Sequence, residues 1–137
     1  MPNFNLQVLL LKAYTILYHI VRISLGLPMF IFGLNKWYIF IPIKISNPAG
    51  QQFIDSLYAS GYLMQLVGLT QFLCGFFLLI NRFMPFVLIF LFPVTVNILL
   101  FNLFLNQIGS FVGILVFAAH LFLFYFHRNR YVGLIST

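Results

Sequence analysis

Residues 58–104 read YASGYLMQLVGLTQFLCGFFLLINRFMPFVLIFLFPVTVNILLFNLF, two long apolar stretches parted only by Asn81, Arg82 and Phe83. A helix needs about 20 mainly apolar residues to cross the hydrocarbon core of a bilayer. Segments 58–80 and 84–104 both reach that length without a single charge. Pro85 falls in the first turn of the second stretch, where its missing N–H costs nothing. So short a link forces the two helices to lie antiparallel.

The same reading extends outward to 15–34 and 109–126, with Asn106 and Gln107 linking the last two spans. The sequence therefore predicts an all-α polytopic membrane protein, a single domain over 1–137 folded as a four-transmembrane-helix bundle. Composition agrees: 63% of residues are apolar and 6% charged, against roughly 25% charged in soluble domains. The N-terminal MPNFNLQVLLLKAYTILYH has neither a basic n-region nor a small-residue cleavage site. The first helix is expected to remain in the mature protein.

Seven cations (Lys12, Arg22, Lys36, Lys44, Arg82, Arg128, Arg130) face one acid, Asp55. They are scattered between apolar runs and form no tract that could follow a phosphate backbone, so nucleic acid is excluded as a partner. Four spans put Lys12, Arg82, Arg128 and Arg130 on one side and Lys36 and Lys44 on the other. The positive-inside rule then predicts that both termini are cytoplasmic. Tyr14, Tyr18, Tyr125 and Tyr131 are expected to anchor the cytoplasmic interface, and Trp37, Tyr38, Tyr58 and Tyr62 the outer one. Membrane lipid is the expected surrounding; the sequence fixes no oligomeric state.

Between the first two spans, Asn47 followed by Pro48 signals a helix start. Phe53, Ile54 and Leu57 form an apolar stripe opposite Gln51, Gln52 and Asp55. Two readings of the external segment 44–57 stand open: an interfacial helix, or a loop packed on the bundle.

Lipid tails are as apolar as leucine, so helices associate in membranes through close packing at small residues. Gly26 and Gly33 recur at seven residues on the first span, as do Gly61, Gly68 and Gly75 on the second. Each set is expected to form a nearly straight seam, since seven residues rotate a helix by only about 20°. Gly109 and Gly113 give the fourth span a GxxxG pair. The polar residues His19, Arg22, Gln65, Gln71, Asn97 and His120 point largely inward by the same rotation and are read as one interior cluster.

Arg22 is the most informative of these, because an arginine inside a span marks a polar site. It shares the face of Gly26 and Gly33 and is expected to meet Gln71 or Asn97; snorkelling to the interface is the alternative. His19 and His120 could in principle supply two axial imidazoles, but nothing else specifies a porphyrin pocket, and haem is not expected. Cys74 stands alone, which excludes an internal disulfide, a CxxC pair and any cysteine-rich metal site. With no Glu and one Asp, the chain has no carboxylate pair for acid–base work and no carboxylate-rich metal site. Autonomous hydrolytic or phosphoryl-transfer chemistry is not expected, as no GxSxG elbow or P-loop is present either.

The stretches RISLGLPMFIFGLNKW (22–37), FIDSLYASGYLMQLVGLTQFLCGFFLLINRF (53–83) and FPVTVNILLFNLFL (92–105) together resemble the DoxX family of small bacterial four-helix membrane proteins. The resemblance implies a multi-pass protein of the bacterial inner membrane. Some members are membrane subunits of sulfur-compound:quinone oxidoreductases or associate with redox enzymes. It thus implies a non-catalytic subunit with a membrane or redox protein partner, in contact with quinone or lipid; a small-solute carrier built on the polar cluster is the alternative. The inverted repeat common in transporters is not evident. Members often carry Glu where this chain has Gln71 and His where it has Asn102. If that Glu pairs with the first-helix Arg, the pair is lost here, and a proton-coupled role resting on it does not carry over.

Overall fold

The computed structural model describes residues 2–136. Among them run α1 (Pro2–Asn35), α2 (Pro48–Ala59), α3 (Leu63–Ile80), α4 (Met84–Phe104), a 3-10 turn (Gln107–Gly109), α5 (Ser110–Phe126) and α6 (Arg128–Ile135), with no strand. Four helices, α1, α3, α4 and α5, are long and apolar enough to cross a membrane. Each packs on its two neighbours in the ring α1, α3, α4, α5. No more than a third of each apolar window is buried inside the protein. The outward faces carry exposed Leu66, Phe76, Phe90 and Leu115, a surface suited to lipid and untenable in water.

Two boundaries differ from expectation. The first helix starts at Pro2 instead of Thr15 and runs 34 residues, about 50 Å at 1.5 Å per residue. Lys12 interrupts the apolar run there but breaks no helix, since lysine is a good helix former. The third helix starts at Leu63 instead of Tyr58, because Ser60 and Gly61 form a turn. The Ser60 hydroxyl accepts the Leu63 N–H at 3.0 Å and so caps the helix start.

That turn removes Gly61 from the expected seam. It has a positive φ of 83° and nothing within 4 Å of where a Cβ would stand, so its role is to make the turn. The other four glycines pair across α1 and α3. A Cβ on Gly33 would lie 2.8 Å from the Gly68 carbonyl oxygen, and one on Gly26 3.3 Å from that of Gly75. The run of two against two defines an antiparallel contact held by backbone proximity. Gly113 plays the same part between α5 and α4, where a Cβ would lie 2.9 Å from Asn102 Cβ. Gly109 sits in the 3-10 turn, hard against the Asn102 amide.

At the centre, Leu25, Leu78, Leu88, Leu91 and Leu123 are almost wholly buried and pack as one cluster with Met29 and Val87. The segment after α1 is pinned by Asn35, whose Oδ1 accepts the Phe40 and Ile41 N–H groups at 3.0 and 2.8 Å. The segment between the first two spans forms a helix, α2, that packs on the bundle. Asn47 caps it by accepting the Ala49 N–H at 2.9 Å. Gly50 seats it on the end of α4, where a Cβ would come 2.5 Å from the Leu105 carbonyl oxygen.

Candidate functional site

The polar residues do not form one cluster. Arg22, on α1, and Lys36, the residue that follows its last, are 14 residues apart, about 21 Å along the helix axis, and each organises its own end of the bundle. Two seven-residue steps separate them, so they share nearly the same face.

At the Arg22 end, the last carbonyls of α3 have no partner within their own helix and carry the negative end of its dipole. Asn81 turns the chain there in the left-handed conformation, φ 57°. Its N–H closes on the Leu78 carbonyl at 3.2 Å, and the Arg82 N–H on that of Phe77 at 3.1 Å. Arg22, 7% exposed, donates from Nη1 to the Leu78 carbonyl and, at 2.7 Å, to that of Leu79. Its Nη2 donates to His19 Nδ1 at 3.2 Å. The guanidinium therefore faces α3, as expected, but its charge is met by backbone carbonyls, far from Gln71 and Asn97. Its Nε has no partner among the described residues.

Tyr18 completes this end and is buried, so it is not a membrane-facing anchor. Its hydroxyl donates to Asn81 Oδ1 at 2.7 Å. Having one hydrogen, it must accept from His127 Nε2 at 3.0 Å. Burial and then the neighbouring Arg130 push the His127 pKa below its ordinary value, so the neutral ring is the form this network holds.

Midway along the bundle His120 is completely buried. The Thr95 hydroxyl donates to the Phe92 carbonyl at 3.0 Å, so His120 Nδ1, 3.3 Å away, is the donor to Thr95. Nε2 is left without a partner among the described residues. Phe92 and Phe124 lie at 5.8 Å from the ring. His19 turns to Arg22 and His120 to α4, so the two imidazoles do not converge on a shared plane for haem.

At the Lys36 end is a cavity of about 370 Å³, within the usual range for small-molecule sites. Phe53, Ile54 and Leu57 of α2 roof it; Met64 and Val67 of α3 and Val94, Ile98 and Phe101 of α4 form its walls. Lys36, Gln71, Asn97 and Asn102 bring polar atoms into it. The stem of Lys36 lies on Gly68, whose missing side chain leaves room for it. Its ammonium donates to Gln71 Oε1 and, at 3.4 Å, to the Phe32 carbonyl. Gln71 is buried, its Nε2 3.5 Å from Met29 Sδ. Asn97 is exposed on the rim beside Pro93. The Asn102 amide is spent on Ile98 and Asn106.

Of the residues expected in one interior cluster, only Gln71 and Asn97 share this cavity. Gln65 is half-buried outside its lining, with Oε1 unpartnered among the described residues. Lys36 was missed because it reads as a membrane flank, although its spacing from Arg22 places it on the inner face. Position 71 faces Lys36 and not Arg22, so a Glu there would pair with the lysine. Gly50 and Asn35 were missed too, since neither repeats at helical spacing with another small or polar residue.

The DoxX family model matches residues 17–105, a stretch holding Arg22 and Lys36, the α2 roof and all the cavity's lining. No curated protein and no solved structure matches the chain.

Proposed function

The chain belongs to the DoxX family of membrane proteins, and from that premise we propose that it is a non-catalytic subunit of the bacterial inner membrane that binds a quinone or lipid and serves a redox protein partner. The observation that carries this reading is the cavity beneath α2, an apolar chamber with the Lys36 ammonium and the exposed Asn97 amide on its walls. Such a site can hold the carbonyls of a membrane-borne molecule and leave its tail among apolar side chains. It encodes no nucleophile–base pair.

Purification from the native host in mild detergent is the test. A quinone or lipid in the organic extract, together with a co-purifying redox protein, is the expected result. Solute uptake by liposomes carrying this chain alone, lost in Arg22→Ala, would replace the subunit reading with the carrier.

For orientation we propose cytoplasmic termini, on the lysine and arginine asymmetry. In a Cys74→Ser background, single cysteines at Gln51 or Asn106 should react with an impermeant thiol reagent in intact cells, and one at Asn129 should not. The opposite pattern would invert the topology.

A further inference from the structure

Among the described residues the Lys36 ammonium in the cavity has no counterion. Its partners are two neutral oxygens, those of Gln71 and Phe32. The chain's single acid, Asp55, is exposed on α2 and takes a hydrogen bond from Gln51 at 2.9 Å; the apolar residues of α2, not Asp55, face the cavity. A charge held among apolar groups at low dielectric is costly unless it is paired. An ammonium has three N–H groups, and two are used, which leaves one for an occupant.

We propose, resting on the reading of this cavity as a ligand site, that its occupant is a single-chain amphiphile with an anionic head, a carboxylate or a phosphate monoester on an alkyl chain. The head sits against Lys36 Nζ, where opposite charge in a largely apolar chamber gives the strongest discrimination available to the site. Asn97, on the rim, adds an amide donor to the head. The tail lies on Leu57, Val67, Val94 and Ile98 and leaves past Pro93, an exposed residue of the rim. A volume near the lower end for ligand sites fits one chain and not the two of an intact phospholipid. Gly50, which seats α2 on Leu105, keeps the roof close over the chamber.

Trp37, the only tryptophan, directly follows Lys36 and reports on this end of the bundle. Nanodiscs of phosphatidylcholine containing the protein would be titrated with tetradecanoate, tetradecyl phosphate, tetradecanol, tetradecyltrimethylammonium and decylubiquinone while Trp37 emission is followed. The anions should bind at least tenfold more tightly than the alcohol, the cation should not saturate, and each anion should displace decylubiquinone. Tighter binding of the carboxylate would point to a free fatty acid, tighter binding of the phosphate to a lipid-derived head; either supports an anionic site. Lys36→Gln should abolish the preference for anions over the alcohol, and Lys36→Arg should keep it, with both variants melting near the parent. Equal binding of acid and alcohol, or saturable binding of decylubiquinone that neither anion displaces, would overturn the anionic occupant and leave the ligand site standing. Failure of every probe to saturate would sink both.

Discussion

Replacing Gly75 with valine should dismantle the contact between α1 and α3 and leave a protein that no longer melts cooperatively in mild detergent. A Cβ at this position would collide with the Phe30 backbone N–H and lie 2.8 Å from the Gly26 carbonyl oxygen and from Phe30 Cα. All three obstacles are backbone, so no side-chain rotation relieves them, and the helices must separate. Overpacking a core usually costs about 1–3 kcal/mol when neighbours can shift. Here the cost should exceed that range, since separating the pair also strips the close contacts at Gly33 and Gly68. Gly133→Ala is the control, because nothing lies within 4 Å of its added Cβ; its effect should stay within about 0.5 kcal/mol. A Gly75→Val variant that melts like the parent would mean that α1 and α3 are not held by this seam.

That seam was legible in the sequence because heptad spacing and membrane packing physics say the same thing about Gly26, Gly33, Gly68 and Gly75. The reading failed at Gly61, where periodicity carried the helix through Ser60, although a serine three residues before Leu63 has the geometry of a cap. Four spans and their short links were likewise readable, because length and apolarity alone decide them. The grouping of polar residues was not. Rotation tells which face of a helix a residue occupies, but the depth at which two helices meet depends on their register. Gln71 and Arg22 share inward faces, yet the antiparallel register sets Gln71 beside Met29 and Lys36 and leaves Arg22 to the end of α3. Lys36 was hidden by a rule that is sound on average: a lysine just beyond a span is usually a flank.

Arg22→Met should destabilise the protein by about 2–4 kcal/mol, on the scale of one or two hydrogen bonds from a charged donor. Methionine matches the length of the arginine stem and carries no donor, so the Leu79 carbonyl loses its 2.7 Å partner and the end of α3 loses the cation facing its dipole. The Leu78 carbonyl keeps the Asn81 N–H at 3.2 Å, which limits the damage. Arg22→Lys should fall between, because a single ammonium restores the charge but cannot fork across two carbonyls and reach His19 Nδ1 as well. The order arginine, lysine, methionine in melting temperature is the diagnostic. A guanidinium that merely snorkelled to headgroups would be replaced by methionine at no cost, or with a gain, because a desolvated charge would have been removed. Occupancy of the Lys36 cavity provides the second readout. Well below the melting point, Arg22→Met should leave the Trp37 response to cavity ligands unchanged, because the partners of Arg22 (His19, Leu78 and Leu79) and the cavity lining have no residue in common. A change in that response at full helicity would mean that the Arg22 cap and the cavity are coupled along α1, which runs from Arg22 to the residue before Lys36.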